Sequence, residues 1–190
     1  MTASATRRLR IAVALAAVLA LAAGGTLWWR ATLSPRRFAA VVAGHLYRSG
    51  EVTPAQLDRL ARDYGIRRVV SLLDANASVT EVERAAAACL GLEWHNVPLP
   101  GDGASTPAER RQILALLADP NAPPTLVHCA AGTNRTGLAV GLYRLHCQHW
   151  PLAQVLAELK QFGFDDLPRH ENLRQALAAE AAAAQSGARD

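Results

Sequence analysis

Short apolar segments and amphipathic segments take turns along this chain, and that alternation constrains its fold more than any other feature. Val69-Val70-Ser71-Leu72-Leu73 and Thr125-Leu126-Val127-His128 read as buried strands. His45-Leu46-Tyr47-Arg48 and Trp94 to Leu99 read as two more, the second closed by Pro98 and Pro100. Helix signals lie between them. Thr53-Pro54 and Thr106-Pro107 each set a capping hydroxyl before a proline suited to a first helical turn. Leu57, Leu60, Ala61 and Tyr64 then recur at helical spacing up to Gly65. Ser78 or Thr80 opens a second helix that ends at Gly91, and Asp119-Pro120 stops the third. Gly137 to His149, Pro151 to Phe162 and Pro168 to Ala184 read as three closing helices. This order predicts an α/β fold: a central, mostly parallel sheet covered by helices. The domain is expected over 40–182, after a linker at 30–39 and before a frayed tail at 183–190.

The chain has 190 residues, which suits one domain with a real core. Its charge is unevenly placed. Arg7, Arg8, Arg10 and Arg30 fall in the first 30 residues, which hold no acid, and the other 16 basic residues match the 16 acidic ones. The basic pI therefore comes from the N-terminus and points away from a nucleic-acid partner. After a basic leader at 1–10, Ile11 to Trp29 is 19 residues without a charge. As a helix it would span roughly 28 Å, about one hydrocarbon core, with Trp28 and Trp29 at its far edge. The expectation is one N-terminal transmembrane helix, hence a membrane-bound protein with its domain outside the cytoplasm. The alternative is a signal segment cleaved near Ala20-Leu21-Ala22, leaving a secreted or periplasmic domain.

Cys89, Cys129 and Cys147 are too few and too scattered for a disulfide framework. Cys89 and Cys147 read as small buried apolar residues. Cys129 stands apart, in His128-Cys129-Ala130-Ala131-Gly132-Thr133-Asn134-Arg135-Thr136-Gly137, between an apolar strand and an apolar helix. A loop of that length, opening into a helix, can turn the backbone N–H groups of residues from Ala130 to Arg135 inward as a cradle for a tetrahedral oxyanion. Gly132 permits the dihedrals such a curl needs. Cys129 in that positive field is expected to be a thiolate and an in-line nucleophile toward phosphorus. Arg135 offers a planar fork for two phosphate oxygens. Thr136 can give its hydroxyl to the sulfur when it leaves. No metal or other cofactor is needed, because Arg135 and the amides supply the positive charge.

With these residues the chain resembles the cysteine-dependent protein tyrosine phosphatase superfamily, and its compact dual-specificity branch in particular. That signature runs His-Cys, five residues, Arg, then Ser or Thr; here it falls on His128, Cys129, Gly132, Arg135 and Thr136. Leu46-Tyr47-Arg48-Ser49-Gly50 and Gly65 to Leu72 extend the likeness upstream. The resemblance implies a four- to five-stranded sheet with helices on both sides and a phosphocysteine intermediate. It implies a phosphorylated protein or a small phosphomonoester as substrate, with His128 orienting the cysteine loop. It also implies an aspartic general acid on an upstream loop. Asp102, in Pro100-Gly101-Asp102-Gly103, is the first choice, with Asp74 and Asp119 as rivals. Thr133-Asn134 stands where several bacterial relatives carry Lys-Asp.

Other readings stay open at this point. An inositol-lipid or inositol phosphate substrate is one, although the loop has no lysine. A phosphate-binding domain without turnover is another, and sulfur transfer, which also uses a cysteine loop, is a third. Arg48 and Ser49 read as an ion pair or turn, Trp94 and Trp150 as core, and Arg110-Arg111 as a solvated helix face. The oligomeric state is not legible.

Overall fold

The structure is a computed structural model, described at residues 10, 11, 13, 15–22, 24, 25, 34–165 and 167–187. It divides into a unit at Met1–Ser34 and a unit at Pro35–Asp190.

Five strands make one mixed sheet: β1 (Ala39–Val42), β2 (Leu46–Ser49), β3 (Arg68–Ser71), β4 (Glu93–Asn96) and β5 (Thr125–His128), in the order β1-β2-β5-β3-β4. β1 pairs antiparallel with β2, and every other pair is parallel. The edge strand β1 has no counterpart in the sequence reading. Its four residues are too few and too bland to stand out, and pairing with β2 through a tight turn makes it a strand. Ser49 and Ser71 both lie opposite His128, and Asn96 lies opposite Ser71. The carboxyl ends of the four parallel strands are therefore level, and the loops after them share one edge, the usual place for a site in a parallel sheet.

The helices are α1 (Pro54–Asp63), α2 (Ser78–Cys89), α3 (Pro107–Ala118), α4 (Asn134–Cys147), α5 (Leu152–Gln161) and α6 (Glu171–Gly187). Thr53 and Thr106 each complete a capping box, with Gln56 and Glu109, so both helices start where the Thr-Pro pairs predict. Alternation along the strands builds two cores. Leu46, Val70 and Val127 face one way, against α3, α4, α5 and α6. Tyr47, Val69 and Leu126 face the other, with Leu57, Leu60 and Ala87 of α1 and α2. In α4 all ten residues from Thr136 to Leu145 are buried, which makes it the central helix of its layer. A Cβ on Gly141 would lie 2.8 Å from Leu177 Cδ2, so the bare glycine lets α6 pack close. α6 continues through 183–187, where composition predicts fraying; residues 188–190 lie outside the described residues.

The expected transmembrane helix at 11–29 is corrected. Among the described residues no helix is long and apolar enough to cross a membrane. Helical positions are described between 10 and 25. Trp28 and Trp29, the expected interfacial pair, lie outside the described residues. The membrane as a partner and the single-pass localisation fall with that helix.

Candidate active site

β5 is the middle strand, so the chain leaves it at the centre of the level edge, and Cys129 is the first residue out. The next residues turn back into α4. Thr133 stands at the N-cap of α4 with no side-chain capping bond, so the first-turn N–H groups of that helix have no side-chain acceptor there. Gly132 has φ +72, and a Cβ on it would sit 2.7 Å from Gly50 N and 2.8 Å from Ser49 C. Only glycine lets the loop lie against the end of β2 in this conformation. The Gly132 N–H donates to Cys129 Sγ at 3.3 Å.

Cys129 is 2% exposed. Burial pushes its thiol up, but the net displacement is downward. Hydrogen bonds from the Thr136 side chain and backbone, the charge of Arg135 and the Gly132 N–H outweigh desolvation. Thr136 is itself fully buried, and Ser49 O, 3.4 Å from its hydroxyl, is an alternative acceptor for the same proton. The half-buried Arg135 donates from Nη1 to Leu72 O at 3.0 Å and Leu99 O at 3.3 Å. Those carbonyls lie just beyond β3 and β4, so neighbouring strand exits aim the guanidinium. A sulfur whose thiolate is favoured, an inward amide and a forked cation together suit a tetrahedral oxyanion.

His128 is 0% exposed, and its Nε2 lies 2.8 Å from Glu83 Oε2. Trp94 Nε1 donates to the other Glu83 oxygen at 2.8 Å. Burial acts to raise the Glu83 carboxyl, yet His128, Trp94 and Ser71 together hold it below the ordinary carboxylate value. Sequence reading missed Glu83, which looks like any polar residue of an Ala-rich helix. Its only signal is phase: it shares a helix face with the buried Thr80 and Ala87.

Asp102 is exposed, on the loop after β4. Its Oδ1 accepts from Ala104 N at 3.0 Å and its Oδ2 from Asn172 Nδ2 at 3.2 Å. The loop backs onto the start of α4, since a Cβ on Gly103 would lie 3.7 Å from Asn134 C. Asn134 in turn is 3.2 Å from His170 Nε2. Asp119 faces Arg68 at 3.6 Å, at the amino end of β3 and away from the cysteine loop. Asp74 follows the carboxyl end of β3 and caps its own turn by accepting from Asn76 N. Topology thus separates Asp119 from the site and leaves Asp102 and Asp74 on its edge.

Several bland readings are corrected. Cys89 and Cys147 are exposed, because both fall at helix C-termini beyond the packed stripe. Arg110 is no solvated residue: it donates to Glu180 Oε1 at 2.7 Å and to Ser105 O at 2.8 Å, tying α3 to α6. Arg48 is 1% exposed and donates from Nη2 to Gly132 O at 2.8 Å, so it serves the cysteine loop directly. Trp94 and Trp150 are half-buried against the two cores. Among the described residues no cluster of three or more His, Cys, Asp or Glu could hold a metal ion.

Comparison with known proteins agrees with this geometry. The core catalytic domain of the PP-IP phosphatase SIW14 from S. cerevisiae superposes with a TM-score of 0.67 over 82% of this chain and 93% of that one. At 20% identity this is a likeness of fold. P. aeruginosa TpbA superposes with a TM-score of 0.59 and 26% identity, over 75% of this chain and 87% of that one. In sequence, the dual specificity protein phosphatase TpbA of Pseudomonas aeruginosa is 40% identical over 55 residues, 29% of this chain and 24% of its own length. The match thus spans about a quarter of that relative. The sequence model of the tyrosine phosphatase family covers residues 32–175, which takes in the whole sheet, the cysteine loop and the Asp102 loop. The chain belongs to the tyrosine phosphatase family.

Proposed function

We propose that this protein hydrolyses phosphate monoesters through a phosphocysteine intermediate, as a protein tyrosine or dual-specificity phosphatase. The observation that carries the reading is the geometry of the loop after β5, where the Gly132 N–H donates to the buried Cys129 Sγ at 3.3 Å and two strand-exit carbonyls aim Arg135. A desolvated thiol without such donors would stay protonated and inert. TpbA, which is named a dual specificity protein phosphatase, has also been seen in complex with phosphotyrosine as a cysteine-to-serine variant. That complex supports an aryl phosphate as a substrate.

In the first step Cys129 Sγ attacks phosphorus in line, the bond from phosphorus to the leaving oxygen breaks, and Asp102 gives that oxygen its proton. Arg135 and the amides from Ala130 to Arg135 hold the three equatorial oxygens while charge spreads over them. In the second step water gives a proton to Asp102 and its oxygen attacks phosphorus. The sulfur–phosphorus bond breaks, and the Thr136 hydroxyl steadies the departing thiolate. His128, backed by Glu83, orients the strand end that carries Cys129.

The full chain should hydrolyse an aryl phosphate and a phosphotyrosine peptide with chelator present. Cys129→Ser should abolish turnover, and full turnover by that variant would refute the mechanism. Phosphoserine and phosphothreonine peptides and inositol phosphates, run in parallel, define the substrate class. Phosphopeptide binding by the wild type without hydrolysis would mark a binding domain instead.

A further inference from the structure

Three successive carbonyls of the cysteine loop are each held from outside by a donor on another segment. Ala130 O accepts from Glu51 N at 3.1 Å, Ala131 O from Arg37 Nη1 at 2.9 Å, and Gly132 O from Arg48 Nη2 at 2.8 Å. In a trans peptide the C=O of one residue and the N–H of the next point in opposite directions. Pinning these carbonyls outward therefore aims the N–H groups of Ala131, Gly132 and Thr133 inward. The middle peptide shows the consequence, since the Gly132 N–H reaches Cys129 Sγ at 3.3 Å.

We propose that Arg48 and Arg37 are positioning residues that aim the oxyanion-binding amides by holding the outer carbonyls of the cysteine loop, Arg48 for Thr133 N–H and Arg37 for Gly132 N–H. Neither cation touches the substrate in this role.

Arg48 is the stronger case, because burying it is unfavourable. It is 1% exposed, and among the described residues its Nε and Nη1 are buried without a hydrogen-bond partner. Burial lowers its pKa to about 10, so it keeps its charge at neutral pH. An apolar side chain would fill a strand interior at lower desolvation cost. What Arg48 has is the Phe162 ring, with Cζ 3.7 Å from the ring centroid, and the single bond to Gly132 O. The charged groups around it are Glu158 of α5, Arg144 of α4, Arg37 and Cys129 itself. Arg37 reaches Ala131 from the solvent side, and a Cβ on Gly163 would lie 2.9 Å from its Nη2. The turn at Phe162–Gly163 thus flanks both guanidinium groups.

This inference rests on the phosphatase reading, yet its test is separable, because alkylation of Cys129 by iodoacetate requires no turnover. In the full chain, peptide mapping resolves alkylation at Cys129 from that at the exposed Cys89 and Cys147. The rate is followed across pH, with and without inorganic phosphate as a protecting anion. Arg48→Lys keeps a positive charge and loses the planar fork, whereas Arg48→Met loses both. Arg37→Gln is at an exposed site, where folding is not at stake.

In Arg48→Lys, phosphate protection should weaken about tenfold, the loss of roughly one hydrogen bond to a charged group. The pH midpoint of alkylation should rise, and rise further in Arg48→Met. Arg37→Gln should weaken protection about threefold or more, a smaller loss suited to an exposed donor. Wild-type protection and midpoint in folded Arg48→Lys would overturn the role of Arg48, even with a lower melting temperature, since that result marks a purely structural residue. If the Arg48 variants do not fold, Arg37→Gln decides, and wild-type behaviour there overturns the inference. A wild type that binds phosphate but turns over nothing would remove the phosphatase reading and leave this one standing.

Discussion

Replacing Glu83 with leucine should destabilise the domain by about 3 kcal/mol, because two buried groups lose their shared acceptor. Glu83 is 1% exposed and serves two buried groups, His128 Nε2 at 2.8 Å and Trp94 Nε1 at 2.8 Å. Leucine leaves both without an acceptor, and an unsatisfied buried N–H alone costs about 1–3 kcal/mol. Urea unfolding followed by far-ultraviolet circular dichroism would register the change. With a slope of about 2 kcal/mol per molar, the midpoint should fall by about 1.5 M. Glu83→Gln keeps an oxygen for Trp94 and loses only the charge, so its loss should be smaller, about 1–2 kcal/mol. The pH dependence has a definite sign. The Glu83 carboxyl sits below its ordinary value in the folded chain, so its contribution is complete above the unfolded value of about 4.3 and disappears as pH falls through the folded value. The advantage of wild type over Glu83→Gln should be constant between about pH 5 and 7 and shrink below about pH 4. A midpoint for Glu83→Leu within about 0.3 M of wild type would refute this account, since no buried pair would then be at stake.

Gly132→Ala should lower both stability and turnover. Its Cβ would meet Gly50 N at 2.7 Å and strain a φ of +72, so the loop must lift off β2 and release Gly132 O from Arg48. The left-handed strain alone costs about 1–2 kcal/mol, and a misaimed amide should reduce kcat about a hundredfold. Thr136→Val should raise the pH midpoint of Cys129 alkylation, because the largest contribution favouring the thiolate is the Thr136 hydroxyl. It should also let phosphoenzyme accumulate in rapid-quench experiments, whereas a midpoint equal to wild type would remove Thr136 from the site. Asp102→Ala should slow alkyl phosphates more than activated aryl phosphates, by about a hundredfold in relative rate; equal slowing would move the acid to Asp74.

The local chemistry of this protein was legible in its sequence wherever a residue type acts on its nearest neighbours. Thr53-Pro54 and Thr106-Pro107 start helices because capping is settled within four residues. The strand of Thr125–His128, the glycine at 132 and the spacing of Cys129 from Arg135 define the cysteine loop for the same reason. The apolar run at 11–29 predicted a membrane-spanning helix, yet among the described residues no helix is long and apolar enough to cross a membrane. Partners distant in sequence were decided only by the tertiary structure. Arg48 meets Gly132 across 84 positions, and Glu83 comes under His128 only because α2 packs on the face of the sheet that holds Leu126. Which aspartate shares the edge of Cys129 depends on strand order, which joins β2, β3 and β5 at one level. A sequence carries the residues for such contacts, but burial and register are collective properties of the packed chain, and they determine which charge ends up beside which.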